Sequence, residues 1–238
     1  MQDRYAGDVG DFGKMGLLQA LERVGFTIGV NWYRTLPDKN GDGKHEIKDA
    51  YSSFEKALAD QLRKIHGDEE NRSIQALQSA GLLEHAIYYD CIVNAADRAE
   101  WHRAAMEALK DCELIFLDPD NGLLIEREGK HPRKSEKHVL CSELCGYLGR
   151  GQSVVLYNHR PRKKFDVYLD DFRKCFAGMD EVRDRQITVM SFHRGTTRDF
   201  FLIAANEQHT KRIETATLRM IESPWGSKKM NLFSRCCL

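Results

Sequence analysis

The 238-residue sequence contains no apolar run approaching the roughly 18 residues that cross a bilayer, so a helical membrane span is not expected. Its opening, "MQDRYAGDVG", has no apolar segment of the kind that marks a secretory leader. It has no net charge either: 36 basic residues balance 36 acidic ones. Long-range attraction to nucleic acid must then come from a local basic patch. No CxxC pair occurs among the seven cysteines, and their number is odd, which argues against a disulfide framework. Cys141 and Cys145 share a helical face and read as two small apolar residues rather than as half of a zinc site. The ending "SRCCL" is not a prenylation signal, because Arg235 stands where the cysteine should. Free thiols fit a reducing cytoplasm, the expected location. Internal repeats and low-complexity tracts are missing as well.

What is present suits a packed α/β chain. Hydrophobic residues make up 42% and charged residues 30%, enough for a core. Apolar residues at helical spacing predict a helix over 11–24, capped by Asp8 or Asp11 and stopped by Gly25. Strands are predicted near 27–33, 86–92, 113–118, 153–158, 187–193 and 199–205. The last pair is joined by Gly195-Thr196-Thr197, so the final strand should run antiparallel to its neighbours. Helices are expected near 47–66, 73–80, 95–110, 135–148, 165–176 and 210–222. The charged stretch 46–82 reads as a helical insertion in a single domain, and "TLPDKNGDGKHE" before it as turn chemistry. The alternation of strands and helices predicts a mostly parallel sheet, whose ligands bind beyond the carboxyl ends of the strands.

Three stretches carry polar groups to that place. In "LDPDNG" (117–122), Pro119 forces Asp118 into an extended conformation at the end of a buried strand, and Asn121-Gly122 supplies a tight turn. In "YNHRPRKK" (157–164), Asn158 and His159 end the next strand and lead into basic residues; "REGKHPRKSEK" (127–137) adds a second basic loop. In "YAGDVGDFGKMG", glycines recur every three residues ahead of the first helix. No strand precedes them and no Lys-Ser/Thr follows, so neither a dinucleotide fingerprint nor a phosphate loop is present. What remains is a lead whose backbone can approach a ligand closely, with Asp8, Asp11 and Lys14 at a helix start. Asp8, Lys14, Asp118 and Asn158 are expected to line one cleft.

The segment "AGDVGDFGKMGLLQAL" resembles the N-terminal "AGNxADxxKHxxL" segment of the large-subunit ribosomal RNA adenine-N6 methyltransferases; Ala6, Gly7, Asp11 and Lys14 match in position. The sequence is also similar to a group of bacterial and phage proteins with GDVxDFxKY and FDPDNG motifs. The first resemblance implies a Rossmann-like, S-adenosylmethionine-binding fold with an antiparallel C-terminal hairpin strand. It places Lys14 near the cofactor, with Gly7, Asp8, Asp11 and Trp32 as further cofactor-binding candidates, and gives Asp118 the role of the catalytic Asp of the family's Asp-Pro-Pro-Tyr motif. The chain departs from that motif: Asp120 and Asn121 stand in place of the second proline and the aromatic, and "GVNWYRTLPD" replaces a glycine-rich turn. Trp32 or Tyr33 there either faces an adenine ring or belongs to the core.

The leading expectation is therefore a methyltransferase acting on nucleic acid or a nucleotide, with Asp118, Asn121 and His159 orienting the acceptor. The alternative is a magnesium-dependent nuclease or phosphohydrolase, with Asp8, Asp11, Asp118, Asp120 and Glu143 as oxygen ligands and Lys14 and His159 assisting. A third reading is a binding protein that kept the fold without catalysis.

Overall fold

A computed structural model describes residues 1–37, 45–125 and 135–238. Seven strands form one sheet: β1 (Ile28–Asn31), β2 (Ile87–Tyr89), β3 (Leu114–Leu117), β6 (Ser153–His159), β7 (Ile187–Phe192), β8 (Arg198–Ile203) and β9 (Phe233–Cys237). Their order is β2-β1-β3-β6-β8-β7-β9. The pairs from β2 to β6 are parallel; β8 runs against both β6 and β7, and β9 against β7. The chain is thus α/β with a mostly parallel central sheet, and a reversed strand sits inside it. Two short strands, β4 (Gly122–Leu123) and β5 (His138–Val139), pair in parallel beside it.

Both faces of the sheet are buried, as the nearly continuous apolar strands require. On one face Leu114, Phe116, Val155, Phe200 and Leu202 pack under α1 (Val9–Glu22) and α8 (Glu207–Glu222). On the other, Ile115, Leu117, Val154, Leu156 and Phe201 pack under α5 (Arg98–Ala108), α6 (Cys141–Gly149) and α7 (Phe165–Ala177). Alternation along each strand therefore decides which face every strand-end residue serves.

The charged stretch after residue 46 forms α2 (Asp49–Ser52), α3 (Lys56–Gly67) and α4 (Ile74–Ser79). Leu58, Ala59, Leu62, Ile74 and Leu77 from it join the same apolar cluster as α1. The six expected strands all occur, though β2 is shorter than 86–92 and is followed only by an Arg34–Ile92 bridge. Helix α6 begins at Cys141 rather than near 135, because 135–139 make a short turn and then β5. Strand β9 was not anticipated. Most of the 127–137 basic loop and of the 35–46 turn lies outside the described residues.

Candidate functional site

Helix α1 starts at the carboxyl end of the sheet, and its first turn builds one wall of the site. Asp8 is its N-cap: Oδ1 accepts hydrogen bonds from Gly10 N at 2.6 Å and Asp11 N at 3.1 Å. One turn later Lys14 projects to the strand ends. Asp118 follows β3 on the α1 face, in phase with Leu114 and Phe116, so its carboxylate meets that lysine. Lys14 Nζ donates to Asp118 Oδ2 at 2.7 Å and stands 3.2 Å from Asp11 Oδ1. The ammonium also lies 5.2 Å from the Tyr157 ring centroid. All three charged side chains are buried, Asp118 to 1% exposure. Burial works against the Lys14 ammonium, but Asp118 and Asp11 outweigh it and hold its pKa above the ordinary lysine value. Burial pushes the Asp11 carboxyl up to about 6, although Lys14 pulls it down.

A cavity of about 410 Å³ opens over this pair. Its lining includes Asp8, Gly10 and Lys14 from the first helix, Asp118 to Asn121 from the loop after β3, Tyr157 and His159 from β6, and Thr196 and Arg198 from the β7–β8 hairpin. Asp120 closes the far side, accepting from Gln2 Nε2 at 2.9 Å and Thr35 Oγ1 at 3.1 Å. Its Oδ1 is 2.9 Å from the Met1 amine and its Oδ2 is 3.3 Å from Lys137 Nζ. Burial raises the Asp120 carboxyl, but the Met1 amine, Gln2 and Lys137 outweigh it and keep it at about 2. The loop is fixed by its backbone: Asn121 N donates to Lys137 O at 3.0 Å, and His159 N to Asn121 O at 3.3 Å.

Asp8, Lys14, Asp118, Asn121 and His159 thus come to one cavity, as the sequence suggested. Asn158 does not. It is in phase with Val154 and Leu156, so it points to the opposite face, where Oδ1 accepts from Leu123 N at 3.1 Å and Nδ2 donates to Tyr168 Oη at 2.8 Å. Trp32 is fully buried in the core, parallel to the Tyr88 ring at 6.2 Å, and does not reach the cavity. Tyr33 is equally buried and donates to Glu143 Oε2 at 3.0 Å. Gly7 is set against α3: at φ +76° a Cβ would overlap Leu62 O and lie 2.8 Å from His66 N. Asp11 stands behind Lys14, accepting from Gly7 N at 2.9 Å, and is not part of the lining. Glu143 lies under the other face, paired with Arg98, so the five proposed magnesium ligands do not converge. Among the described residues no group of three or more metal-ligating side chains is gathered to hold an ion.

Sequence reasoning missed Arg198, Tyr157, Thr196, His45 and Lys137 as lining residues. Arg198 was detectable in principle: it opens a strand after a tight turn, and alternation with Phe200 and Leu202 puts it on the α1 face. No helix among the described residues is long and apolar enough to cross a membrane. No family model matches the chain, and no curated protein matches it either.

Proposed function

We propose that the protein is a Rossmann-like, S-adenosylmethionine-dependent methyltransferase acting on nucleic acid or a nucleotide, with Asp118 at its centre. One observation carries this reading. Lys14 and Asp118, the two residues that the family resemblance singles out, lie 104 positions apart in sequence and meet at 2.7 Å on the floor of one cavity. The reversed β8 between β6 and β7 agrees with the closing hairpin strand which that resemblance implies.

The residues present fit such a cofactor. The cavity of about 410 Å³ is in the range of small-molecule sites, about 300–1,000 Å³. A Cβ at Gly10 would lie 2.8 Å from Asp8 Oδ1 and 2.9 Å from Arg198 Nε, so this glycine lets two side chains of the lining close up against the first helix. Lys14 and Asp8 would hold it, and Trp32 would not. When bound, it supplies an electrophilic methyl group. The chain's own work is positioning. Asp118, held by Lys14, accepts the acceptor amine's hydrogen bond, and Asn121 orients the acceptor from the same loop. Transfer to an amine needs alignment and a proton acceptor rather than a strong base, so one buried carboxylate suffices.

The test combines binding with turnover. S-adenosylhomocysteine at 100 times its dissociation constant should stabilise the wild type by about 2.7 kcal/mol. Asp118→Ala should abolish methyl transfer while the cofactor product still binds; Asp118→Asn, which keeps an acceptor oxygen, should be milder. Calorimetry below the variants' melting range separates binding from folding. Absence of cofactor binding in the wild type, or undiminished turnover in Asp118→Ala, overturns the reading.

A further inference from the structure

The basic side chains around the cavity are not equally engaged. Lys14 has a carboxylate at 2.7 Å and Lys137 has one at 3.3 Å. Arg198 is as deeply buried, at 7% exposure, yet its nearest carboxylate oxygen, Asp8 Oδ2, is 3.9 Å away. That exceeds hydrogen-bond distance. The other Asp8 oxygen is held by the two helix N–H groups of the cap. The Arg198 guanidinium is anchored through Nη1, which donates to Arg194 O at 2.8 Å and Thr196 O at 3.0 Å, and it also bonds to the Tyr157 side chain. The Nε–Nη2 edge is turned to Gly10 and to Asp8. This is the edge with which arginine binds an oxyanion through two parallel hydrogen bonds.

His159 is directly opposite Arg198 in the β6–β8 register, on the same face of the sheet. Cross-strand partners on one face are within reach of a shared ligand. Burial and the neighbouring Arg198 both lower the His159 pKa, so at neutral pH the ring offers a neutral N–H donor beside the guanidinium. Thr196 lines the same corner. Donors from two strands and a turn converge from different directions, an arrangement that suits a tetrahedral oxyanion.

We propose that Arg198 and His159 form an oxyanion subsite that takes a phosphate group of the ligand at the mouth of the cavity. The subsite stands on the geometry of β6 and β8. That the phosphate belongs to a nucleotide or a nucleic acid strand rests on the proposed function.

Calorimetric titration of the full chain tests it with four probes: inorganic phosphate, a nucleoside 5′-monophosphate, the matching nucleoside, and a short single-stranded oligonucleotide without terminal phosphates. The monophosphate should bind at least about tenfold more tightly than the nucleoside, as charge-assisted bonds to a bidentate arginine require. Competition by inorganic phosphate points to a terminal phosphate as the natural group, and preference for the oligonucleotide points to a phosphodiester. Arg198→Lys, which keeps the charge but not the fork, should erase most of the advantage. Asp8→Asn keeps the helix cap, removes the nearby negative charge, and should tighten phosphate binding severalfold. Equal affinity for nucleotide and nucleoside, no saturable binding of any phosphate-bearing probe, or unchanged phosphate affinity in Asp8→Asn overturns the subsite. S-adenosylhomocysteine titrated in parallel keeps the two readings apart: phosphate binding without it leaves the subsite standing and removes the methyltransferase, and the reverse result does the opposite.

Discussion

Replacing Lys14 with methionine removes the one ammonium between two buried carboxylates. Asp118 loses a partner at 2.7 Å and Asp11 one at 3.2 Å, in a place where Asp118 is 1% and Asp11 0% exposed. Breaking a buried pair by deleting one partner costs about 3–5 kcal/mol, because it leaves a buried charge undercompensated. In a chain of this size each kcal/mol moves the melting temperature by about 2–4 °C, so Lys14→Met should melt roughly 6–20 °C below the wild type at pH 8. The deficit should shrink with acid. Burial already pushes the Asp11 carboxyl up to about 6 and Lys14 pulls it down, so without Lys14 it takes up a proton more readily in the folded state, and a folded state that binds more protons than the unfolded one is favoured as pH falls. Differential scanning calorimetry of both proteins between pH 8 and pH 5 reads this directly. Adding Asp118→Asn to the variant should recover part of the loss, since one of the orphaned charges is gone. A melting temperature within about 2 °C of wild type at pH 8, or a deficit that widens on acidification, would refute the argument.

Asp11 has its folded pKa raised to about 6, above an unfolded value of about 3.9, so its ionisation weakens the fold as pH rises through that interval. Asp11→Asn should therefore stabilise the protein relative to wild type at pH 8, by on the order of 1–3 kcal/mol, and have little effect at pH 4; equal differences at both pH values by urea unfolding would contradict this. Gly122 sits at φ +111°, and a Cβ there would overlap Asn158 Oδ1 and lie 2.9 Å from Asn158 Cα. Gly122→Ala should lower stability by roughly 2–4 kcal/mol, combining backbone strain with the displaced Asn158 hydrogen bonds, as a denaturant midpoint will show. Glu143→Gln weakens the Arg98 pair, for an expected loss of about 2–4 kcal/mol given that Arg98 is partly exposed. Cavity ligands should bind Glu143→Gln as they bind the wild type; impaired binding would tie Glu143 to the site after all.

The sequence made the strands and the polar ends of β3 and β6 readable, because buried parallel strands are bare apolar runs and Asp-Pro and Asn-Gly mark where they stop. It did not make the facing of those ends readable until the alternation was counted through. Asn158 and His159 are adjacent, yet one braces α7 and the other opens on the cavity. Gly7 shows a different limit: a glycine needed for close approach looks the same whether the approaching group is a ligand or, as here, the backbone of Leu62. Trp32 follows β1 where a cofactor could lie, but only the packing of Tyr88 shows that the slot is filled by protein. Strand β9 escaped because "FSRCC" is short, half-polar and at the edge of the sheet, where alternation is weakest.

The first helix rests on the last part of the chain. A Cβ at Gly13 would lie 2.7 Å from the Phe192 ring and one at Gly16 2.5 Å from the Trp225 ring, so the seat of α1 is made of residues synthesised long after it. During synthesis the helix that carries Lys14 emerges first and has no bed to settle in. The antiparallel strands β7 and β8 can pair locally as soon as they appear, whereas the α1 contact must close a loop of nearly the whole chain. The Lys14–Asp118 contact therefore matures late, after the C-terminal residues that seat α1 have emerged.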